Sequence, residues 1–165
     1  MSMKSYERAK ELILSNDELG DFNDGVSHEL IKLAEEKIGL KFTGSYLDFL
    51  QTFGVGDFGS QEIYGIIHED FENSSTPDAI WYTLTERKEG DFPNHLLVIY
   101  NTGFGEIFCL DYSNLDDTQE PKVVAYSPGF ELEVQTYELI ADTFGDFLLA
   151  LVEEELEEAD DEDFD

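Results

Sequence analysis

Basic residues are scarce in this sequence of 165 residues. Nine Lys and Arg stand against 39 Asp and Glu, which gives a formal net charge of −30 at pH 7. A surface this negative repels nucleic acid and anionic membranes, and it attracts basic proteins. The imbalance therefore argues against nucleic-acid and membrane binding and predicts a cationic protein as the partner.

Cysteine and long apolar segments are also nearly absent. The single cysteine, Cys109, cannot form an internal disulfide and lies in an apolar run, so we expect a buried free thiol rather than a nucleophile. The longest apolar stretch, residues 147–152, is too short to cross a bilayer, and the first residues contain no apolar signal segment. Together with the lack of disulfides, these features predict a cytoplasmic protein.

The sequence also lacks the residue spacings that carry catalysis or hold a cofactor. His28, His68 and His95 are not spaced as metal ligands, and no glycine-rich turn is followed by the Lys-Ser/Thr pair of a phosphate-binding loop. Acidic pairs such as Asp116-Asp117 are common enough to occur by chance, so an acidic hydrolase is only a minor alternative. We expect no enzymatic activity, no metal and no cofactor.

Apolar periodicity predicts one α+β domain over residues 1–152. Helices are expected over 5–14, from the Ser27 cap to Gly39, from Thr43 to Gly54, from Thr76 to Gly90, and from Asp142 or Thr143 onward. Strands are expected over 63–67, 96–101, 106–112, 122–126 and 130–136, with 102–105 as a hairpin turn. Helices followed by a run of antiparallel strands and a last helix are typical of the α+β class.

The last part of the chain, residues 153–165, is predicted to be an acidic, disordered tail. It holds ten acidic residues, and like-charge repulsion with few apolar side chains favours disorder. Without these ten the chain still carries −20, so the negative charge also covers the folded part.

Four segments occur in a recognisable order. They are Tyr46–Phe53 with a glycine-rich turn to Gly56, then Ile63-Tyr64-Gly65, then the hairpin Leu97–Asp111, and last the helix start Thr143–Leu148. As an ordered set they resemble the SUKH superfamily, which includes the yeast cell-wall assembly regulator and many bacterial immunity proteins. One departure is Phe42-Thr43-Gly44, where the family usually has a proline before the Tyr helix.

The resemblance implies a mixed, mostly antiparallel and curved sheet with helices packed at its N- and C-terminal ends, used as a protein-binding module. Bacterial members commonly bind and neutralise a toxin made by their own kind, often a nuclease. We therefore expect an immunity protein, or antitoxin, that occludes the active site of a cationic secreted toxin, plausibly a basic C-terminal nuclease domain. An intracellular regulatory or scaffold module of the same family is the alternative.

The family motifs are structural, so the partner-binding residues must be sought among the acids in loops and at the rim of the sheet. The candidates are Asp57, Glu62, Glu69, Asp70, Glu72, Asp116 and Asp117. Simple solubilising charge is the alternative interpretation for each one. The chemistry of the toxin and the oligomeric state stay open at this point.

Overall fold

The computed structural model describes residues 2–162, which form five α-helices and seven β-strands. The helices are α1 (Ser2–Ser15), α2 (His28–Ile38), α3 (Gly44–Thr52), α4 (Ala79–Glu89) and α5 (Phe144–Glu162). The strands are β1 (Gly20–Phe22), β2 (Gly56–Phe58), β3 (Gln61–Ile63), β4 (Leu96–Asn101), β5 (Ile107–Leu115), β6 (Pro121–Tyr126) and β7 (Leu139–Ala141). The predicted α+β class is confirmed.

The strands form two antiparallel sheets rather than the single sheet expected. β1, β2 and β3 form a three-stranded sheet, and β4 to β7 follow one another across a four-stranded sheet. The chain leaving β3 runs beside β4, where the amide of Tyr64 donates to the carbonyl of Ile99 at 2.9 Å. The small sheet therefore lies next to β4, at the opposite side of the large sheet from β7.

Local signals place the ends of α2 as predicted. The Ser27 hydroxyl accepts a hydrogen bond from the amide of Leu30 at 3.1 Å, which satisfies an otherwise unpaired donor of the first turn. Gly39 ends the helix in the left-handed region at φ 75°, a conformation that glycine adopts without strain. Both signals depend only on neighbouring residues.

The core is built on aromatic side chains of α3 and α5. Tyr46 and Phe49 are fully buried, and their rings lie 4.9 and 5.2 Å from that of Phe144. The hydroxyl of Tyr46 donates to the carbonyl of Tyr64 at 2.8 Å, so this large residue carries its polar atom into the core already paired. The Cys109 thiol is buried as predicted, and burial raises its pKa well above the ordinary value.

The structure differs from the predicted disordered tail after residue 152. Helix α5 continues to Glu162, because its far half still packs on the protein: Glu155 is 6% exposed, Leu156 contacts the core, and α5 lies along α1. The Glu155 carboxylate accepts a hydrogen bond from the Ser60 hydroxyl, beside the turn between β2 and β3. The last residues of the predicted tail, 163–165, lie outside the described residues.

Three further local predictions were wrong. The strand expected over 63–67 lies earlier, as β3, and ends at Ile63. Residues 130–136 form a short 3-10 helix at Leu132–Val134 instead of a strand, and the strand that pairs with β6 begins later, at Leu139. Helix α4 is capped by Asp78 rather than Thr76, since the Asp78 carboxylate accepts from the amides of Ile80 and Trp81.

A buried carboxylate joins three parts of the fold. Glu120, between β5 and β6, is 1% exposed and accepts hydrogen bonds from the amide and the hydroxyl of Ser45 at the start of α3. The same Ser45 hydroxyl accepts from the amide of Gly145 at the start of α5. The starts of α3 and α5 are therefore joined to each other and to the segment between β5 and β6 through Ser45 and Glu120.

Candidate functional site

The seven candidate acids lie in three separate places. Asp57 and Glu62 are on the small sheet, Glu69, Asp70 and Glu72 are on the loop before α4, and Asp116 and Asp117 are in the turn between β5 and β6. Of these, the structure brings Asp57 and Glu62 together as partners across two strands. The small sheet is therefore the strongest candidate site.

Strand register sets three acids side by side on this sheet. Asp57 lies opposite Asp21 on β1 and opposite Glu62 on β3. Residues directly opposite each other point to the same face, with Cβ atoms about 5 Å apart. We call Asp21, Asp57 and Glu62 the acidic row.

The other face of the small sheet is buried, which orients the acidic row toward solvent. Phe58 and Ile63, the next residues along β2 and β3, are 1% and 0% exposed. Gly56 allows β1 to approach β2 closely, since a Cβ atom at this position would lie 2.1 Å from the carbonyl oxygen of Asp21. The alternation of apolar and acidic residues thus fixes which face carries the charge.

The acidic row destabilises its own negative charges. Burial and the charge of Asp21 raise the pKa of Asp57, and burial and the charge of Asp57 raise the pKa of Glu62. Among residues 3–160, whose side chains are described, no ion pair joins a Lys or Arg to any of the three. A cation brought to this face from outside would relieve the repulsion, so the arrangement suits a positively charged partner.

Asp21 was not among the predicted residues, although the sequence contains a signal for it. The tripeptide Gly-Asp-Phe occurs at 20–22 and again at 56–58, and these two copies form the paired strands β1 and β2. Three-residue strands are too short to show a periodicity of two. Their pairing could be inferred only from the repetition itself.

The loop acids are more engaged with their surroundings. Glu72 forms an ion pair with Lys37 at 3.2 Å, and the carboxylate of Asp70 accepts from the side-chain amide of Asn73 at 3.1 and 3.2 Å. Glu69 is exposed and lines a shallow depression together with the buried Phe71. Lys37 therefore offsets one of the negative charges of this loop, that of Glu72.

Asp116 has a structural role in its turn. Its carboxylate accepts from the amide and hydroxyl of Thr118 at 2.8 and 2.7 Å and from the amide of Glu120 at 3.0 Å. The hydrogen bond from the Thr118 hydroxyl contributes most to lowering the pKa of Asp116. Asp117 is exposed and leaves its charge available to solvent.

Two searches of residues 2–162 bear on other kinds of site. No group of three or more His, Cys, Asp or Glu side chains is arranged to hold a metal ion in this part of the chain. Its helices include none with the length and apolar character that crossing a membrane requires.

Comparisons with known proteins point to one family. The family model SUKH_6, described as SMI1-KNR4 cell-wall, matches residues 28–148. A crystal structure of a protein from Pseudomonas syringae pv. tomato superposes with a TM-score of 0.55 at 17% identity, covering 78% of this chain and 87% of that one. At this identity the second match speaks for the fold alone.

Proposed function

This chain belongs to the SUKH family, the SMI1-KNR4 cell-wall group, and from that membership we propose that it is an immunity protein that neutralises a cationic toxin. It does so by covering the toxin's cationic active-site surface. A nuclease fits best as the toxin, because a nuclease presents positive groups to phosphates and a protein of charge −30 can occupy the same groups. The action is binding rather than turnover.

The acidic row is the observation that carries this proposal. Asp21, Asp57 and Glu62 are held side by side by backbone register at about 5 Å spacing, so they form a fixed row of negative charges that a cationic surface built for phosphates can meet. A row fixed by strands loses less conformational entropy on binding than acids on loops do. The wider negative surface adds steering, which raises association rates by about 10- to 1,000-fold at low salt.

The other candidate acids contribute unequally in this proposal. Glu69 and Asp117 are exposed and add to the negative field, whereas Asp70, Glu72 and Asp116 already make contacts within the chain. We expect the affinity to depend most on Asp57 and Glu62, and least on Asp116 once its turn is folded.

The test uses toxin domains encoded beside this chain. Co-expression of the chain with its cognate toxin is expected to rescue growth, and the two proteins are expected to elute as one complex from a sizing column. The double variant Asp57→Asn/Glu62→Gln should lose rescue. The matched control Glu7→Gln/Glu157→Gln removes the same charge from exposed helix surfaces and should keep it.

Rescue by the double variant at wild-type level would remove the acidic row from the proposal. Absence of both rescue and complex with every toxin encoded in the same genome would refute the immunity function itself. In that case the regulatory or scaffold alternative gains, since the family description refers to the cell wall rather than to a toxin. Its expected sign is a deletion phenotype in cells that carry no toxin.

A further inference from the structure

A groove separate from the acidic row shares none of its residues. It has a volume of about 570 Å³ and runs between the C-terminal end of α4 and the loop that follows β6. The residues that matter in its walls are Glu86, Glu89 and Asp91 on one side and Tyr126, Phe130 and Glu131 on the other. None of the seven predicted acids lines it.

One wall of the groove is unusually apolar for an exposed loop. Phe130 is 65% exposed and Leu132 43%, and the same segment continues with Val134 at 59% and Leu139 at 56%. Single exposed apolar residues are normal on protein surfaces, but Phe130 and Leu132 line the same groove, and exposed apolar surface of this kind often marks a place that partners cover.

Both walls of the groove carry negative charge that no cation in the described lining offsets. Glu86, Glu89, Asp91 and Glu131 line the groove, and among residues 3–160 no Lys or Arg lines it. Arg87 is on the same helix, but its guanidinium donates to two backbone carbonyls outside the lining. Burial, with the charge of Glu89 added, raises the pKa of Glu86, so this carboxylate lies where a positive charge would be favoured.

An aromatic pair lies at the base of the groove. The rings of Phe92 and Tyr126 meet edge to face, with centroids 4.9 Å apart, and each residue is only 6% exposed, so they form a closed apolar floor. The alkyl stem of an arginine can cover such a floor while its planar guanidinium reaches nearby carboxylates. Lysine lacks the planar group and would use this base less well.

We propose that this groove binds a basic segment of a partner protein, in which an arginine enters between the carboxylates and an adjacent apolar residue covers Phe130 and Leu132. The inference rests on the proposed function and extends it: the acidic row attracts the partner, and the groove holds it. Charge complementarity favours a basic partner over a second copy, because a copy would bring a further −30 to a groove already lined by carboxylates.

The first test needs no toxin. The synthetic peptide acetyl-Phe-Arg-Leu-amide is titrated into the full ¹⁵N-labelled chain, with the same peptide carrying citrulline for arginine as the control. Amide shifts should be concentrated in residues 86–92 and 126–132, and the citrulline peptide should bind at least tenfold more weakly. Shifts spread evenly over all acidic surfaces, or equal binding of both peptides, would overturn the proposal.

The second test uses exposed residues whose replacement leaves the core intact. Phe130→Ser/Leu132→Ser should accelerate dissociation of the toxin complex at least tenfold, while Phe104→Ser, 95% exposed and outside the groove, should leave it unchanged. If the variant still binds toxin and its dissociation rate is unchanged, the groove proposal is refuted and the proposed immunity function stands. If the arginine peptide binds saturably but no toxin forms a complex with the chain, the groove proposal stands and the immunity function is refuted.

Self-association is a separate outcome. If sedimentation shows that the chain dimerises and that Phe130→Ser/Leu132→Ser abolishes the dimer, the groove belongs to a second copy and the proposal fails.

Discussion

Neutralising the central acid of the acidic row should make the protein more stable. Asp57 has a carboxylate neighbour on each side, Asp21 and Glu62, so Asp57→Asn removes two repulsions. Two charges about 5.5 Å apart at the protein surface repel by about 0.75 kcal/mol at the dielectric constant of water, and physiological salt reduces this to about 0.4 kcal/mol. The variant should therefore gain about 0.8 kcal/mol, whereas Asp21→Asn or Glu62→Gln, which each remove one repulsion, should gain about 0.4 kcal/mol.

The assay is urea unfolding at pH 7 of wild type, the three single variants and Glu7→Gln as a control outside the row. With a slope of about 2 kcal/mol per M urea, a gain of 0.8 kcal/mol moves the midpoint of Asp57→Asn upward by about 0.4 M. Asparagine and aspartate are both poor strand residues, so the comparison isolates charge. High salt should shrink the gain.

The pH dependence has a definite sign. Because the folded-state pKa of Asp57 is raised, its repulsion is fully present above that pKa and is relieved as the pH falls through it. The advantage of Asp57→Asn should therefore be largest near neutral pH and should disappear in acid. The reasoning would be refuted if Asp57→Asn were less stable than the wild type, or if its gain in unfolding free energy changed with neither salt concentration nor pH. Gain of stability with loss of toxin binding is the expected signature of a surface kept for function.

Three further perturbations probe the scaffold. Asp48→Asn should lower the free energy of unfolding by about 1–3 kcal/mol, because the Asp48 carboxylate accepts hydrogen bonds from a tyrosine, a lysine and a threonine on α1 and α3. Burial alone would raise the pKa of Asp48, but these hydrogen bonds lower it, so the stability that Asp48 contributes is present above its unfolded-state pKa and is lost as the pH falls through its folded-state pKa. Unfolding of the wild type measured at decreasing pH should show this loss, and its absence would contradict the assignment. Ser45→Ala removes a hydroxyl that bonds both Glu120 and the start of α5 and should cost a similar amount, measured against Ser113→Ala on the exposed end of β5. A stop codon after Val152 should lower the melting temperature by several degrees, because it removes the helical turn in which Leu156 packs against the core. A stop codon after Glu158 keeps Leu156 and should change the melting temperature little. Equal melting temperatures for the two truncated chains would mean that the part of α5 around Leu156 adds no stability.

Signals carried by neighbouring residues predicted the elements that local chemistry can determine. The Ser27 cap, the Gly39 end and the hairpin around 102–105 are as expected, and so is β4 over Leu96–Asn101. The apolar stripe of α5 is also found buried, with Phe144 and Leu148 nearly inaccessible. Each of these depends on residues within about four positions of one another, where capping and helical spacing act directly.

The acidic row, the groove and the length of α5 could not be predicted in this way. Asp21 and Asp57 are 36 positions apart and meet because two three-residue strands pair, and neither strand is stable without the other. Residues 153–162 are acidic enough to predict disorder, yet contact of α5 with α1 and with Ser60 keeps them helical. Residues 130–136 have a strand-like composition, but β6 pairs instead with the later segment Leu139–Ala141.

By itself the sequence determined the family, the α+β class and the strongly negative charge, because these depend on motif order, periodicity and composition. Only the tertiary structure decided which acids lie side by side, as in the acidic row, and which already make hydrogen bonds or ion pairs within the chain, as Asp116 and Glu72 do. The reason is physical: repulsion between carboxylates, and the shelter that a groove provides, depend on distances across the fold that strand register and helix packing set.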